Sequence, residues 1–174
     1  MDYIYELKIP KERIAVLIGS KGKIRRKIEK KLQVKLDIHS KEGNVKLLGE
    51  DSLTLLTAQN IVKAIGRGIN PEKAIDLLEE DVVLETLDIT DYTRNSKKRL
   101  ITMRGRIIGT RGKSRQHLEE LTQTHISVYG KTITIVGSYH YVSLARKALE
   151  SLLNGSRHAT VYAWLEKHIR ELKT

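Results

Sequence analysis

The chain has 174 residues, which suits one domain or two small ones, and its 40% hydrophobic and 30% charged residues indicate a globular protein. It contains no cysteine, which excludes disulfides, zinc fingers and thiol catalysis. The formal net charge of +11 predicts a polyanionic partner, and a nucleic acid is favoured over an anionic membrane surface.

The strands and helices of the first half follow from the spacing of apolar residues. These residues alternate at period two in strand segments and recur every three or four positions in helical ones. In chain order the pattern predicts a strand over 3–9, helices over 11–18 and 22–32, strands over 34–38 and 45–48, and a helix whose apolar stripe runs from 55 to 65.

The second half repeats this order after a short connector. Asn70 is a good N-cap with Pro71 at the first helical position, which predicts a helix from Pro71 to about residue 80. The pattern then predicts a strand over 82–89, helices over 96–108 and 112–123, strands over 125–129 and 132–136, a helix with its stripe over 142–152, and an extra helix over 157–172. We expect the extra helix to pack back on the body of the protein or across both domains.

Charge divides the chain in the same way. Residues 1–67 hold 15 Lys and Arg against 8 Asp and Glu, residues 68–89 hold 1 against 7, and residues 90–174 hold 16 against 6. Two basic blocks around an acidic one predict two binding modules with a connector. We therefore divide the chain into domains at 1–68 and 82–155, an acidic connector at 69–81 and a C-terminal helix at 156–174.

One motif occurs twice, ninety residues apart. Ile-Gly-Ser-Lys-Gly-Lys begins at Ile18, and Ile-Gly-Thr-Arg-Gly-Lys begins at Ile108. Superposing the two copies also aligns identical flanking residues, namely Arg25 with Arg115, Glu29 with Glu119 and Gln33 with Gln123. A run of matches this long indicates an internal duplication.

The repeated Gly-x-x-Gly loop has the properties of a phosphate-binding element. Glycines lack a Cβ, so a phosphodiester backbone can approach the main chain closely. Gly22 and Gly112 each open a helix, whose free N–H groups and positive dipole end attract an anion. Two basic runs adjoin the loops: Lys21–Lys31 holds seven Lys and Arg with one acid, and residues 92–118 hold nine with none. Such a run can also be merely a solvated helix face.

The order strand, helix, Gly-x-x-Gly, helix, strand, strand, helix resembles the type I KH domain, in two copies that cover nearly all of the chain. The resemblance implies an α+β fold of two tandem type I KH domains, each a three-stranded antiparallel sheet packed against three helices, plus the C-terminal helix. The second copy, RIIGTRGKS followed by LEELT, is similar to the archaeal KH-type ribosomal RNA-processing family, which is related to eukaryotic nucleolar small-subunit assembly factors.

The resemblance implies a function in RNA binding without catalysis. A KH domain clamps about four nucleotides of single-stranded RNA, here expected to be small-subunit (16S-type) rRNA during processing. Bases would turn into an aliphatic groove between the loop helices and the middle strand, which is the second of the three strands along each copy. The expected groove residues are Ile14, Leu17, Ile18, Val34, Leu36, Ile38, Ile107, Ile108, Ile126 and Val128. The candidate RNA contacts are Gly19, Ser20, Lys21, Gly22, Lys23, Arg25 and Arg26 in the first copy, and Arg104, Arg106, Ile108, Gly109, Thr110, Arg111, Gly112, Lys113, Arg115 and Ile126 in the second.

Other site classes are disfavoured by the residues themselves. Gly112-Lys113-Ser114 is similar to the end of a Walker A loop, but position 107 holds Ile107 where that loop needs glycine. The six histidines show no metal-ligand spacing, and no catalytic triad order or close carboxylate pair is present. We expect no metal, cofactor or small-molecule substrate. Aromatic residues are only 5%, which disfavours recognition by base stacking alone.

The remaining alternative is a KH-fold interaction scaffold in a ribonucleoprotein or translation complex, with only one domain binding RNA. Other ribosome-assembly or translation proteins are expected partners on either hypothesis. No apolar run approaches the roughly 18 residues of a membrane span, and the N-terminal MDYIYE has no signal-peptide pattern. We therefore expect a soluble, cytoplasmic protein with no membrane partner.

Overall fold

The structure is a computed structural model that describes residues 2–174. The chain divides into two compact units, one ending at Glu80 and the next beginning at Asp81. Each unit carries one copy of the Gly-x-x-Gly motif. None of the helices in the described part of the chain is long and apolar enough to span a membrane.

The first unit contains three strands and four α-helices among its described residues. In chain order these are β1 (Tyr3–Lys8), α1 (Lys11–Ile18), α2 (Lys23–Leu32), β2 (Lys35–His39), β3 (Asn44–Gly49), α3 (Ser52–Gly66) and α4 (Pro71–Ala74). The strands form an antiparallel sheet in the order β1-β3-β2, so β2 is an edge strand. Leu47 on β3 pairs with Tyr5 and Leu36, and Leu36 and Leu47 are fully buried against the helices.

Residues 69–80 of the predicted connector belong to the first unit, and Asp81 belongs to the second. The Asn70 side chain accepts a hydrogen bond from the N–H of Glu72, as an N-cap should. The predicted helix to residue 80 is shorter than expected: α4 ends at Ala74 and a 3₁₀ turn follows over Ile75–Leu78. Ala74 at the end of α4 and Leu77 in the 3₁₀ turn are both buried.

The second unit repeats the first and adds a helix. Its elements are β4 (Val82–Asp88), α5 (Lys97–Ile108), α6 (Lys113–Thr122), β5 (His125–Tyr129), β6 (Thr132–Ser138), α7 (Tyr139–Leu153) and α8 (His158–Lys173). The antiparallel sheet has the order β4-β6-β5, with β5 at an edge. The predicted α+β fold of two three-stranded antiparallel sheets with a C-terminal helix is confirmed.

The C-terminal helix α8 is part of the second unit. Val161, Leu165 and Ile169 recur every four residues and are buried in that unit's core. They pack against α6 and α7. Trp164 and His168 are half-buried, and their rings lie against each other with centroids 4.3 Å apart. The helix therefore reaches the back of α6, the helix that starts at the second motif.

Candidate nucleic-acid interface

The first Gly-x-x-Gly loop is a tight turn between α1 and α2. Gly19 has φ +76° and ψ 173°, a conformation that is essentially restricted to glycine. Lys21 and Gly22 follow with φ of +53° and +74°. The Gly22 N–H donates to the Gly19 carbonyl at 3.1 Å and closes the turn. Ser20 and Lys21 are exposed at its tip.

The second loop has the same geometry. Gly109 has φ +73° and ψ 176°, and Arg111 and Gly112 have φ of +55° and +76°. The Gly112 N–H donates to the Gly109 carbonyl at 3.2 Å. Thr110 and Arg111 are exposed at the tip. Each backbone angle lies within a few degrees of its counterpart in the first unit, so the two copies present the same shape.

Both loops lead directly into the start of a helix. α2 begins at Lys23 and α6 at Lys113, and neither start has a side-chain cap hydrogen bond or an acid in its first turn. The N–H groups of Lys23 and Lys113 donate to the carbonyls of Ser20 and Thr110, and the first turn of each helix forms its positive end. Lys23 and Lys113 are both exposed. Each loop thus ends in a site suited to an anion such as a phosphate.

A guanidinium group lies beside the second glycine of each loop. A Cβ built on Gly22 would lie 2.9 Å from Nη1 of Arg26. A Cβ built on Gly112 would lie 3.7 Å from Nη2 of Arg115. The two arginines come from different positions of the repeat, but both add a cation next to the helix start.

Arg115 also holds the loop helix against the neighbouring strand. It pairs with Glu119 one turn later and donates to the Ile126 carbonyl at 3.4 Å. Arg25, its counterpart, pairs with Glu29 at 3.5 Å. These predicted RNA contacts therefore have partners within the chain. The repeated Arg–Glu spacing of four residues is the sequence signal that could have revealed this role.

Arg104 and Arg106 lie half-buried along α5. Nη2 of Arg106 donates to the Ser156 carbonyl at 2.6 Å, and Nε2 of His158 lies 2.9 Å from the Arg106 carbonyl oxygen. These contacts fix the turn that leads into α8. The Nε atoms of both arginines are buried with no hydrogen-bond partner in the described part of the chain.

Most of the predicted groove residues lie in the two cores. Six of the ten are buried: Ile14, Leu17, Val34, Leu36, Ile107 and Ile126. Ile126 is only 3% exposed, because its face of β5 packs against the helices. Four remain half-buried and accessible: Ile18, Ile38, Ile108 and Val128.

The exposed surface beside the second loop continues along α5, through residues that were not predicted from the sequence. Ile101 is 71% exposed, an unusual position for a large apolar side chain. Gly105 is exposed, and a Cβ built on it would have no described atom within 4 Å beyond the local helix backbone. Ile101, Gly105 and Ile108 are spaced four and three residues apart, so they share one helix face. This spacing is the sequence pattern from which the exposed face of α5 could have been predicted.

Ionisable groups with clearly shifted pKa values lie outside the loops. The Thr90 hydroxyl and backbone N–H donate to the carboxylate of Asp88 and lower its pKa. Burial raises the pKa of Tyr92. Within residues 2–174, no cluster of three His, Asp or Glu side chains is arranged to hold a metal ion.

Two family models match the chain. A KH-domain model matches residues 4–80, and a model described as a eukaryotic-type KH domain of type I matches residues 83–170. Each match covers one structural unit and its Gly-x-x-Gly loop.

Relatives that match most of the chain are found in archaea and eukaryotes. The chain is 46% identical over 171 residues to a KH domain-containing protein of Methanocaldococcus jannaschii, covering 96% of the chain and 74% of that protein. It is 29% identical over 166 residues to the RNA-binding protein PNO1 of Oryzias latipes, covering 92% and 68%. It is 30% identical over 146 residues to the pre-rRNA-processing protein PNO1 of Coccidioides immitis, covering 82% of the chain and 57% of the fungal protein.

Solved structures share the whole architecture. Dim2p from Pyrococcus horikoshii has a TM-score of 0.88 and 43% identity, covering 95% of this chain and 99% of that one. A chain in the crystal structure of an a/eIF2alpha-aDim2p-rRNA complex from the same organism has a TM-score of 0.90 and 42% identity, covering 98% and 96%.

Proposed function

The chain belongs to the KH-domain family, with two such domains in tandem, and from this we propose that it binds single-stranded rRNA of the small ribosomal subunit and acts in the processing of that RNA. The relatives that are named as pre-rRNA-processing proteins support a role in rRNA processing. A structural neighbour that comes from a complex with rRNA supports rRNA as the ligand.

The observation that carries the proposal is the second Gly-x-x-Gly loop. Gly109 and Gly112 bring the backbone to the surface at the start of α6, and Thr110, Arg111 and Lys113 are exposed around it. An RNA backbone passing the loop would meet the positive end of a helix and two cations. The half-buried Ile108 and Val128 then offer an apolar surface to the bases.

We infer that the protein acts by binding and not by catalysis. KH domains hold RNA by backbone contacts and a groove. The pKa values of Asp88 and Tyr92 are shifted for structural reasons. Asp88 caps a turn through Thr90, and Tyr92 is partly buried. Neither lies in a Gly-x-x-Gly loop.

The direct test introduces negative charge at the tip of each loop. Thr110→Asp with Arg111→Asp should reduce affinity for single-stranded small-subunit rRNA at least tenfold, because carboxylates would face phosphates. Ser20→Asp with Lys21→Asp is the matched change in the first unit and measures that unit's share. Both pairs are exposed, so circular dichroism and the thermal midpoint should stay close to the wild-type values.

The salt dependence separates phosphate contact from other binding. Affinity of the wild-type protein should fall steeply and log-linearly with salt, and the loop variants should show a shallower slope. Unchanged RNA affinity in both loop variants would contradict the proposal.

A second candidate function is an interaction scaffold in which only the second unit binds RNA. The structural neighbour comes from a complex that also contains a/eIF2alpha. This supports the idea that the chain binds protein partners as well as RNA. The absence of acids over residues 92–118 makes the second unit the stronger RNA-binding candidate. Wild-type RNA affinity in the Ser20→Asp, Lys21→Asp variant, together with loss of a protein partner, would favour this function.

A further inference from the structure

A shallow, largely open crevice lies beside the second Gly-x-x-Gly loop. Its volume is about 500 Å³, and it is lined by Gly109, Thr110, Lys113, Ser114, His117 and Tyr162. The loop and α6 form one wall, and Tyr162 on α8 forms the other. Thr110 and Lys113 at its rim are exposed. None of the described residues that line it is acidic, so an anionic ligand would meet no like charge there.

Contacts within the unit hold the aromatic wall in place. The Tyr162 hydroxyl and the Ser114 hydroxyl lie 3.0 Å apart and share a hydrogen bond, and Ser114 is only 9% exposed. The His117 ring meets the Tyr162 ring edge to face, with centroids 4.4 Å apart. His158, in contact with the Arg106 carbonyl, fixes the start of α8 one turn before Tyr162. The crevice is therefore formed before any ligand arrives.

The lining groups match the parts of a nucleotide. Two hydroxyls carry two hydrogens, and their mutual bond uses one, so the Ser114–Tyr162 pair keeps one O–H available to a ligand oxygen. The Lys113 ammonium and the first turn of α6 attract a phosphate. The rings of Tyr162 and His117 offer a surface on which a ribose or base can pack.

The described residues of the first unit do not form this arrangement. Ile24 and Lys27 stand at the positions that match Ser114 and His117. The helix that follows α3 is α4, which spans only four residues, whereas α8 spans sixteen. The crevice is therefore not a by-product of the duplicated domain. It arises from the helix that only the second unit carries.

We propose that this crevice binds one further nucleotide of the RNA chain, adjacent to the four held by the Gly109–Gly112 loop. The phosphate lies toward Lys113 and Thr110, and the ribose or base packs on Tyr162. This subsite rests on the proposed function, since it needs an RNA backbone at the loop. It gives the second unit a longer binding site than the first.

The test compares RNA oligonucleotides of four and six nucleotides in the full chain. The four-nucleotide RNA carries the sequence that the second unit prefers, and two six-nucleotide RNAs extend it at the 5′ or the 3′ end. For the wild-type protein, one extension should raise affinity about tenfold, the typical effect of stacking one base. Tyr162→Ala and His117→Ala should remove this gain and leave affinity for four nucleotides unchanged.

Two further variants sharpen the result. Tyr162→Phe keeps the ring and loses the hydroxyl, so it should retain part of the gain. Tyr139→Ala removes an exposed tyrosine from α7 and should retain all of it. Unchanged binding of four nucleotides also reports that each variant is folded at the loop.

The outcomes separate this subsite from the proposed function. If Tyr162→Ala weakens all RNA lengths equally, Tyr162 only supports the loop and the subsite is rejected. If the wild-type protein gains nothing from either extension but binds four nucleotides, the subsite alone is rejected. If it binds none of the RNAs, the proposed function fails as well. Capture of a peptide that competes with none of the RNAs would assign the crevice to a protein partner.

Discussion

The carboxylate of Glu119 accepts a hydrogen bond at 2.9 Å from the backbone N–H of Ile126, which joins the loop helix α6 to the edge strand β5. The first unit repeats the contact, where Glu29 accepts from the N–H of Leu36 at 3.0 Å. An edge strand has backbone groups without a strand partner on one side. In both units a glutamate satisfies one of them and so fixes the strand beside the loop.

Removing this carboxylate should destabilise the unit that contains it. Glu119→Ala leaves a partly buried N–H unsatisfied and breaks the pair with Arg115, so we expect a loss of about 1–3 kcal/mol in the free energy of unfolding. Urea denaturation measures it. Glu120→Ala, an exposed neighbour on α6, should stay near the wild-type value. Equal effects of the two substitutions would show that the Glu119 contact adds nothing.

The two glycines of the second loop should differ in their tolerance of a side chain. At Gly109 a Cβ would lie 2.7 Å from Cβ of Ser114, in a backbone conformation that is essentially restricted to glycine. At Gly112 the nearest atom would be 3.7 Å away, and φ is +76° with ψ near the left-handed helical value. Gly109→Ala should cost about 2–4 kcal/mol and Gly112→Ala about 1–2 kcal/mol of unfolding free energy. Thermal and urea unfolding would measure both, and a reversed order would contradict the loop geometry.

The duplicated fold could be predicted from sequence because its signals are local. Pro10 ends the first strand, Asn70 caps the next short helix, and the alternation of apolar residues marks the strands of both sheets. The loops were found because their glycines are needed locally, at positions of positive φ. Such features depend on a few neighbouring residues.

The packing of side chains at the site could not be predicted in the same way. Ile126 alternates like a groove residue, yet its exposure depends on which sheet face the helices cover. Tyr162 reaches Ser114 across 48 residues of sequence, and no local pattern encodes where α8 docks. The role of Glu119 needed the edge position of β5, which is a property of the sheet order.

Asp88 should make stability depend on pH. Hydrogen bonds from Thr90 lower the pKa of this carboxyl, so its contribution is full above about pH 5 and is lost as the pH falls below about 4. The thermal midpoint of Asp88→Ala should therefore lie below that of the wild type at pH 7, and the difference should shrink at pH 3. The effect is small because the side chain is exposed. Asp91→Ala, on the same turn, is the control, and a difference that is constant with pH would contradict this assignment.

We expect Gly105 to lower the stability of the fold and to leave room for a base of the bound RNA. It lies inside α5, where glycine costs about 0.5–1 kcal/mol relative to alanine, and no described atom beyond the local helix backbone lies within 4 Å of the place of its Cβ. Packing within the described structure therefore gives no reason for the glycine. It leaves open space between the exposed Ile101 and the half-buried Ile108, on the face that we assign to the bases.

Gly105→Ala is therefore expected to move stability and binding in opposite directions. Unfolding free energy should rise by about 0.5–1 kcal/mol, while affinity for single-stranded RNA falls several-fold because a methyl group occupies the space of a base. Ala15 stands at the matching position of α1 and is exposed, so Ala15→Gly is the mirror control and should lower stability by a similar amount. Higher stability of Gly105→Ala with unchanged RNA affinity would show that no base approaches α5 at this point, and would restrict the RNA to the loop and the crevice beside it.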